Sequence, residues 1–133
     1  MKKPSVLVAR AIFPQTLAYL SKYFEVESNQ DDEVWSPLEL TRRLHGKVGV
    51  LTTGSARIDS ALLQANPQLK IVANMAVGFN NFDLAAMTAA GVLASNTPDV
   101  LTESTADFGF ALLMATARRV TESEHWLLSL IHV

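Results

Sequence analysis

Ser5-Val-Leu-Val-Ala9 is short, rich in branched side chains and free of charge. Such a run fits a strand covered on both faces, as in a parallel sheet, better than a half-exposed strand. The residues after it set a rhythm. Pro14 suits a first helical position, and Leu17, Leu20 and Phe24 come after it at helical spacing. Phe24-Glu-Val-Glu-Ser28 alternates as an edge strand does, and Asn29 to Glu33 reads as a polar loop.

The next helix is announced by Ser36-Pro37-Leu38-Glu39. Ser36 can cap the amide of Glu39, Glu39 can reach back to the Ser36 amide, and Pro37 loses nothing at the first helical position. The helix is expected to end at Leu44 or His45, with Gly46 in the left-handed terminating conformation and His45 beside the last carbonyls. Val48 to Leu51 reads as a third strand and Thr52 to Ser55 as a loop. Asp59 can cap a helix through Ala65 that Pro67 stops. Leu69 to Ala73 is a fourth strand, Asn74 to Phe82 a loop, and Asp83 the cap of a helix ending at Gly91. Val92 to Ser95 is a fifth strand. A long helix, capped by Thr102, runs towards Val120 or beyond. Strands separated by helices need crossover connections, so the fold class is α/β with a mostly parallel five-stranded sheet.

Composition narrows the function classes. The chain has 133 residues, room for one domain and little more. Lys plus Arg number 11 and Asp plus Glu 13, a formal charge of −2, which leaves no basic excess for a nucleic-acid backbone. An apolar fraction of 49% against 18% charged excludes a disordered chain. With no cysteine, disulfides, thiolate metal sites and a cysteine nucleophile are excluded. The apolar run from Val6 to Ala9 is too short for a signal-peptide core. Phe108 to Ala117 is about half the length a membrane span needs. The expected class is a cytoplasmic protein that binds neither nucleic acid nor membrane.

Chemistry is expected outside the carboxyl ends of the strands, where open α/β sheets bind ligands. Leu51-Thr-Thr-Gly-Ser55 and Ala76-Val-Gly-Phe-Asn-Asn81 lie there. Their glycines permit positive φ and close approach of a ligand to the amides, so Val77 and Gly78 can grip a small anion. On spacing alone, two ordinary turns are the better account. The six glycines, at 46, 49, 54, 78, 91 and 109, include no two standing two apart, so a G-x-G-x-x-G loop is impossible. Glu122-x-x-His125 has di-iron spacing in a single copy, for which a solvated helix face is the better reading, and no metal site is expected. No G-x-S-x-G elbow anchors a hydrolase triad. Phe108 to Ala115 is apolar nearly all round, so that helix needs cover from a partner subunit or another domain.

Leu69-Lys-Ile-Val-Ala-Asn-Met-Ala-Val-Gly-Phe-Asn-Asn-Phe-Asp83 resembles the substrate loop of the D-isomer-specific 2-hydroxyacid dehydrogenases. Gly91-Val-Leu-Ala-Ser-Asn-Thr-Pro98 resembles the family's strand leading to its domain crossover. Val100 to Asp107, with Ala111 to Arg119, resembles the crossover helix. The flavour is that of the glyoxylate/hydroxypyruvate reductase and 2-ketogluconate reductase branch. The resemblance is dense from Leu69 to Glu122 and looser, but in register, from Ser5 to Pro67.

The resemblance implies a flavodoxin-like substrate domain over residues 1–98, then a crossover helix and the truncated start of a Rossmann domain over 99–133. It implies that the Val77 and Gly78 amides hold a substrate carboxylate, that Leu51 and Thr52 line the pocket, and that Thr105 approaches an NAD or NADP cofactor. Asn80 stands where many members have Asp. The intact family member reduces a small 2-keto acid, of the glyoxylate or hydroxypyruvate kind, to a 2-hydroxy acid, and is a homodimer. The family's catalytic arginine, acid partner and acid/base histidine lie downstream of Val133. His125 and His132 are not in the context of that histidine, so no catalytic residue is expected here. This chain is expected to be inactive alone, to bind no dinucleotide tightly and to self-associate, with a frameshift or early stop as the simplest account of its length. The alternative is a non-catalytic module that binds a small anion or a partner.

Overall fold

The computed structural model describes residues 2–130. Eleven elements occur in order: β1 (Ser5–Val8), α1 (Pro14–Ser21), β2 (Glu25–Ser28), α2 (Pro37–Arg43), β3 (Gly49–Thr52), α3 (Ser60–Ala65), β4 (Ile71–Asn74), α4 (Leu84–Ala89), β5 (Leu93–Ser95), α5 (Thr102–Ala117) and α6 (Val120–Leu130). The chain divides into two compact units between Pro98 and Asp99.

The first unit is a five-stranded parallel sheet in the order β2-β1-β3-β4-β5. This is a flavodoxin-like order, whose direction of winding reverses between β1 and β3. β2 lies at an edge, as its alternation predicts. Leu7, Val50 and Val72 project from the central strands into one core with Leu40, Leu44, Leu62, Leu63, Leu69 and Met87. Those partners come from α2, α3 and α4 and their flanks, and these helices pack side by side. Residues on the other face of the sheet alternate with the core set. There Ile71 is 42% exposed and Leu93 69%. Gly49 belongs to this face, and a Cβ on it would stand 3.0 Å from Ile71 Cγ2 and 3.4 Å from Val6 Cγ1. The strand crossing therefore leaves space only for hydrogen there.

Local signals act largely as read. Ser36 Oγ accepts from the Glu39 amide at 3.2 Å. Asp59 Oδ1 accepts from Leu62 N at 3.0 Å, and Asp83 Oδ1 from Ala86 N at 2.9 Å. Gly46 and Gly91 adopt φ of +76° and +66° behind their helices. Buried Asn66 donates to the carbonyls of Thr41 and Leu62, tying α2 to the end of α3.

Three expectations need correction. Glu39 does not reach back to the Ser36 amide. Its carboxylate takes Arg42 Nη2 at 2.7 Å and Arg43 Nε at 2.6 Å, because two cations one turn on attract it more than one amide. The Leu44 carbonyl accepts from Gln68 Nε2 at 3.0 Å, and among the described residues His45 makes no side-chain bond to the helix end. Thr102 is not a cap. Leu101 holds that position without a side-chain bond, after Asp99 turns the chain with φ +65° and its carbonyl receives the Thr102 amide.

The second unit is two helices, not one. α5 ends at Ala117, and Arg119 takes φ +53° before α6 begins. Arg119 then pairs with Glu122 in the first turn of α6. This ion pair suits a helix start, where the carboxylate also meets the positive end of the dipole. Neither helix buries any of its residues, and Phe108, Phe110, Leu112, Leu113 and Met114 are all exposed. Among the described residues no helix is long and apolar enough to cross a membrane.

Candidate functional site

β3 and β4 lie side by side, with Leu51 opposite Ala73 and Thr52 opposite Asn74. The Met75 amide continues the ladder by donating to the Thr52 carbonyl at 2.7 Å. The sheet thus delivers the loops after β3 and β4 to neighbouring positions at its carboxyl edge. Thr52 is 1% exposed and lines a recess of about 110 Å³ together with Ala9, Arg10, Trp35, Ser55 and Arg57. That recess stands where the order reverses between β1 and β3, the place open α/β sheets use for ligands. A second recess of about 190 Å³ lies between Phe79, Phe82, Leu84, Ala94, Ser95 and Asn96.

Asparagines lock the loops together. Asn74, 2% exposed, donates through Nδ2 to the Gly78 carbonyl at 2.8 Å and to Asn81 Oδ1 at 3.2 Å. Asn81 Nδ2 passes the link on to the Ala56 carbonyl at 2.8 Å and the Thr53 carbonyl at 3.3 Å. Asn96 Nδ2 donates to the Val77 carbonyl at 2.7 Å. The loop 76–79 is thereby held by its carbonyl oxygens. The Val77 and Gly78 amides meet no acceptor among the described residues, and both residues are exposed. Two adjacent, exposed and unpaired amides can receive a carboxylate or another small anion.

Thr52, Val77 and Gly78 are therefore brought to one sheet edge. Leu51 is not with them: it lines an apolar groove on the other face of the sheet with Val6, Val8, Leu20, Phe24 and Ile71. Thr105 lies in α5, in the second unit, with its amide bonded to the Leu101 carbonyl at 3.0 Å. Neither Gly54 nor Gly78 has positive φ. The expected reason for glycine at these turns is thus corrected, and at Gly78 what remains is space, since a Cβ there would meet nothing within 4 Å. Sequence reading overlooked Asn74, Asn81 and Asn96 as loop anchors. Their only signal was a cluster of asparagines around a strand end, where carboxamides commonly hold backbone.

Arg10 and Arg57, the cations at the first recess, each face a carboxylate: Asp32 at 2.8 Å and Asp59 at 3.7 Å. The Asp32 carboxyl lies below its usual range because it accepts from the Ala11 amide and from Arg10. Glu122 is engaged with Arg119, and His132 lies outside the described residues.

A model of the D-isomer specific 2-hydroxyacid dehydrogenase catalytic domain matches residues 6–125. The chain belongs to this family. It is 44% identical over 133 aligned residues to a glyoxylate reductase of Aeropyrum pernix, covering 96% of this chain and 38% of that protein. It is 41% identical to a glyoxylate reductase of Thermococcus kodakarensis, covering 93% of this chain and 37% of that protein. The chain therefore spans well under half the length of these relatives. Among solved structures, an NADPH-dependent glyoxylate/hydroxypyruvate reductase from Sinorhizobium meliloti, in complex with NADP and malonate, superposes with a TM-score of 0.72. It is 32% identical and covers 95% of this chain and 38% of its own. A Thermus thermophilus protein superposes with a TM-score of 0.78 at 37% identity, covering 92% of this chain and 39% of its own.

The sequence holds no G-x-G-x-x-G loop for a dinucleotide pyrophosphate. No two of the six glycines stand two apart, and Gly109 lies inside α5 rather than in a strand-to-helix turn.

Proposed function

We propose that this chain supplies the carboxylate-binding wall of the substrate cleft in an NAD(P)-dependent reductase of small 2-keto acids of the glyoxylate or hydroxypyruvate kind. The observation that carries the reading is the pair of unpaired, exposed amides at Val77 and Gly78, held from behind at the carboxyl end of β4. Glyoxylate reductases among the relatives and malonate in the Sinorhizobium complex support a short carboxylate as the ligand. In this reading residues 1–98 are the substrate domain, and 99–133 are the crossover helix and the start of a cofactor domain. Thr105 faces the cofactor only in the longer protein, where a homodimer forms in the cytoplasm. Hydride and proton transfer are not assigned to any residue of this chain.

The test is a chimera in which residues 1–98 replace the matching part of the Aeropyrum glyoxylate reductase. It should reduce glyoxylate, and Gly78→Val in it should raise KM at least tenfold with a smaller change in kcat, because a branched side chain fills the approach to the amides. An unchanged kcat/KM in that variant overturns the assignment. The second reading, a module that binds a small anion without catalysis, rests on the same amides. It is favoured if the folded chimera binds glyoxylate and does not turn it over.

A further inference from the structure

Three successive carbonyls in the anion loop are anchored. Ala76 O accepts from the Thr97 amide at 3.0 Å, Val77 O from Asn96 Nδ2 at 2.7 Å, and Gly78 O from Asn74 Nδ2 at 2.8 Å. No peptide bond here is cis, and in a trans peptide the C=O and the following N–H point in opposite directions. The first two anchors come from consecutive residues, Asn96 and Thr97, just beyond β5. The amides of Val77 and Gly78 are therefore turned the same way, away from that segment. One anchor is backbone and survives any side-chain change short of proline. The other is the Asn96 side chain, which among the described residues is the one group bonded to the peptide that carries the Gly78 N–H.

We infer that Asn96 is a positioning residue for anion binding, which aims the Gly78 amide by holding the Val77 carbonyl from behind. This rests on the reading of Val77 and Gly78 as the carboxylate site and names what makes that site rigid. Donors fixed before the ligand arrives need no reorganisation when it binds. Without Asn96 the peptide between Val77 and Gly78 keeps only its neighbours' anchors and can rotate. Asn96 is half-buried at the surface, outside the hydrophobic core, so its loss need not disturb the fold.

The experiment uses the full 133-residue chain, labelled with nitrogen-15, and glyoxylate as the probe. In the wild type the Val77 and Gly78 amide resonances should move saturably, and the methyl ester of glyoxylate should leave them in place. Asn96→Ala should weaken glyoxylate about five- to tenfold, the size of one hydrogen bond's net contribution, at an unchanged thermal midpoint. Without ligand, it should also change the residual dipolar coupling of the Gly78 N–H while leaving the couplings in β4 alone. Asn96→Ser, measured in the same way, replaces the alanine variant if that one fails to fold. Wild-type binding with equal affinity in the variant overturns the role of Asn96 and leaves the carboxylate site standing. No response at either amide in the wild type sinks the carboxylate site. The Gly78 coupling then still decides whether Asn96 holds that peptide, and an unchanged coupling overturns it.

Discussion

Asn74 Nδ2 lies 3.2 Å from Asn81 Oδ1, and this one bond joins the end of β4 to the far side of its own loop. Asn81 extends the connection to the loop after β3, so two carboxamides in series hold two loops at fixed positions on the sheet edge. The arrangement has a cost. Asn74 Oδ1 is buried and has no hydrogen-bond partner among the described residues, so Asn74 serves here as a donor alone. A buried acceptor without a partner is tolerated where the remaining bonds secure something else, in this case the backbone geometry around Val77 and Gly78.

Removing the shared member should therefore release both loops. Asn81→Ala leaves the Ala56 carbonyl without its side-chain donor, removes one of the donors to the Thr53 carbonyl, which keeps the Ala56 amide, and takes one acceptor from Asn74. A loss of about 1–3 kcal/mol is expected, read as a lower denaturant midpoint. Amide exchange should accelerate in residues 53–56 and 76–81 ahead of the rest of the sheet. Uniform acceleration across all five strands would contradict the local role.

Glycine substitutions should separate space from strain. Gly78→Ala meets neither a left-handed backbone nor a neighbour, so stability should change by no more than about 0.5 kcal/mol. Gly91→Ala must hold φ near +66°, and a loss of about 1 kcal/mol is expected. Thermal unfolding of the two variants side by side checks the contrast. A Gly78→Ala variant as unstable as Gly91→Ala would show that the loop is strained after all.

Glu39 sets an acid dependence. Hydrogen bonds from Arg42 and then Arg43 hold its carboxyl down to about 2, against an ordinary 4.5. A carboxyl lowered on folding contributes stability above its unfolded value and loses it as pH falls through the folded one. The stability difference between the wild type and Glu39→Gln should thus be constant above about pH 5 and shrink between pH 4.5 and 2. It should be small throughout, because the pair is exposed and screened. Denaturant midpoints at pH 7, 4 and 2.5 measure it, and a difference that grows on acidification would contradict the assignment.

Isolated, the chain should not turn over glyoxylate with NADH or NADPH. No glycine pair suits a pyrophosphate, and no histidine stands at the carboxyl ends of β3 and β4 among the described residues. Absorbance at the nicotinamide band, followed with pure protein at high concentration, checks this, and steady oxidation of cofactor would refute it.

The parallel sheet was legible because its signals are local: charge-free branched runs, then Ser36, Asp59 and Asp83 at helix starts. The break at Arg118 and Arg119 was not, because no glycine or proline marks it and arginines are good helix formers. The expectation of positive φ at Gly78 was wrong, since open space and not a left-handed backbone distinguishes the position. Asn96 and Asn81 were illegible in their roles, because their partners Val77 and Ala56 lie 19 and 25 residues away and depend on strand register.

The second unit exposes many large apolar side chains. α5 carries Phe108, Phe110, Leu112, Leu113 and Met114, and α6 carries Trp126, Leu127 and Leu128, all exposed. In the first unit, Ile71 and Leu93 are exposed as well. At roughly 25 cal/mol per Å², each large apolar side chain left in water forfeits about 2 kcal/mol of available burial. Several of them together match a sizeable share of a typical domain's stability of about 5–15 kcal/mol. Large apolar side chains exposed in such number are normally covered. The chain is therefore expected to self-associate with rising concentration and to bind hydrophobic dyes. Replacing Phe108, Leu112 and Trp126 together by serine should reduce both effects without altering the sheet's amide-exchange protection. Light scattering across a hundredfold range of concentration gives the test. A mass that stays at 14.5 kDa throughout, with residues 108–114 protected from exchange, would show that the chain covers these side chains by itself.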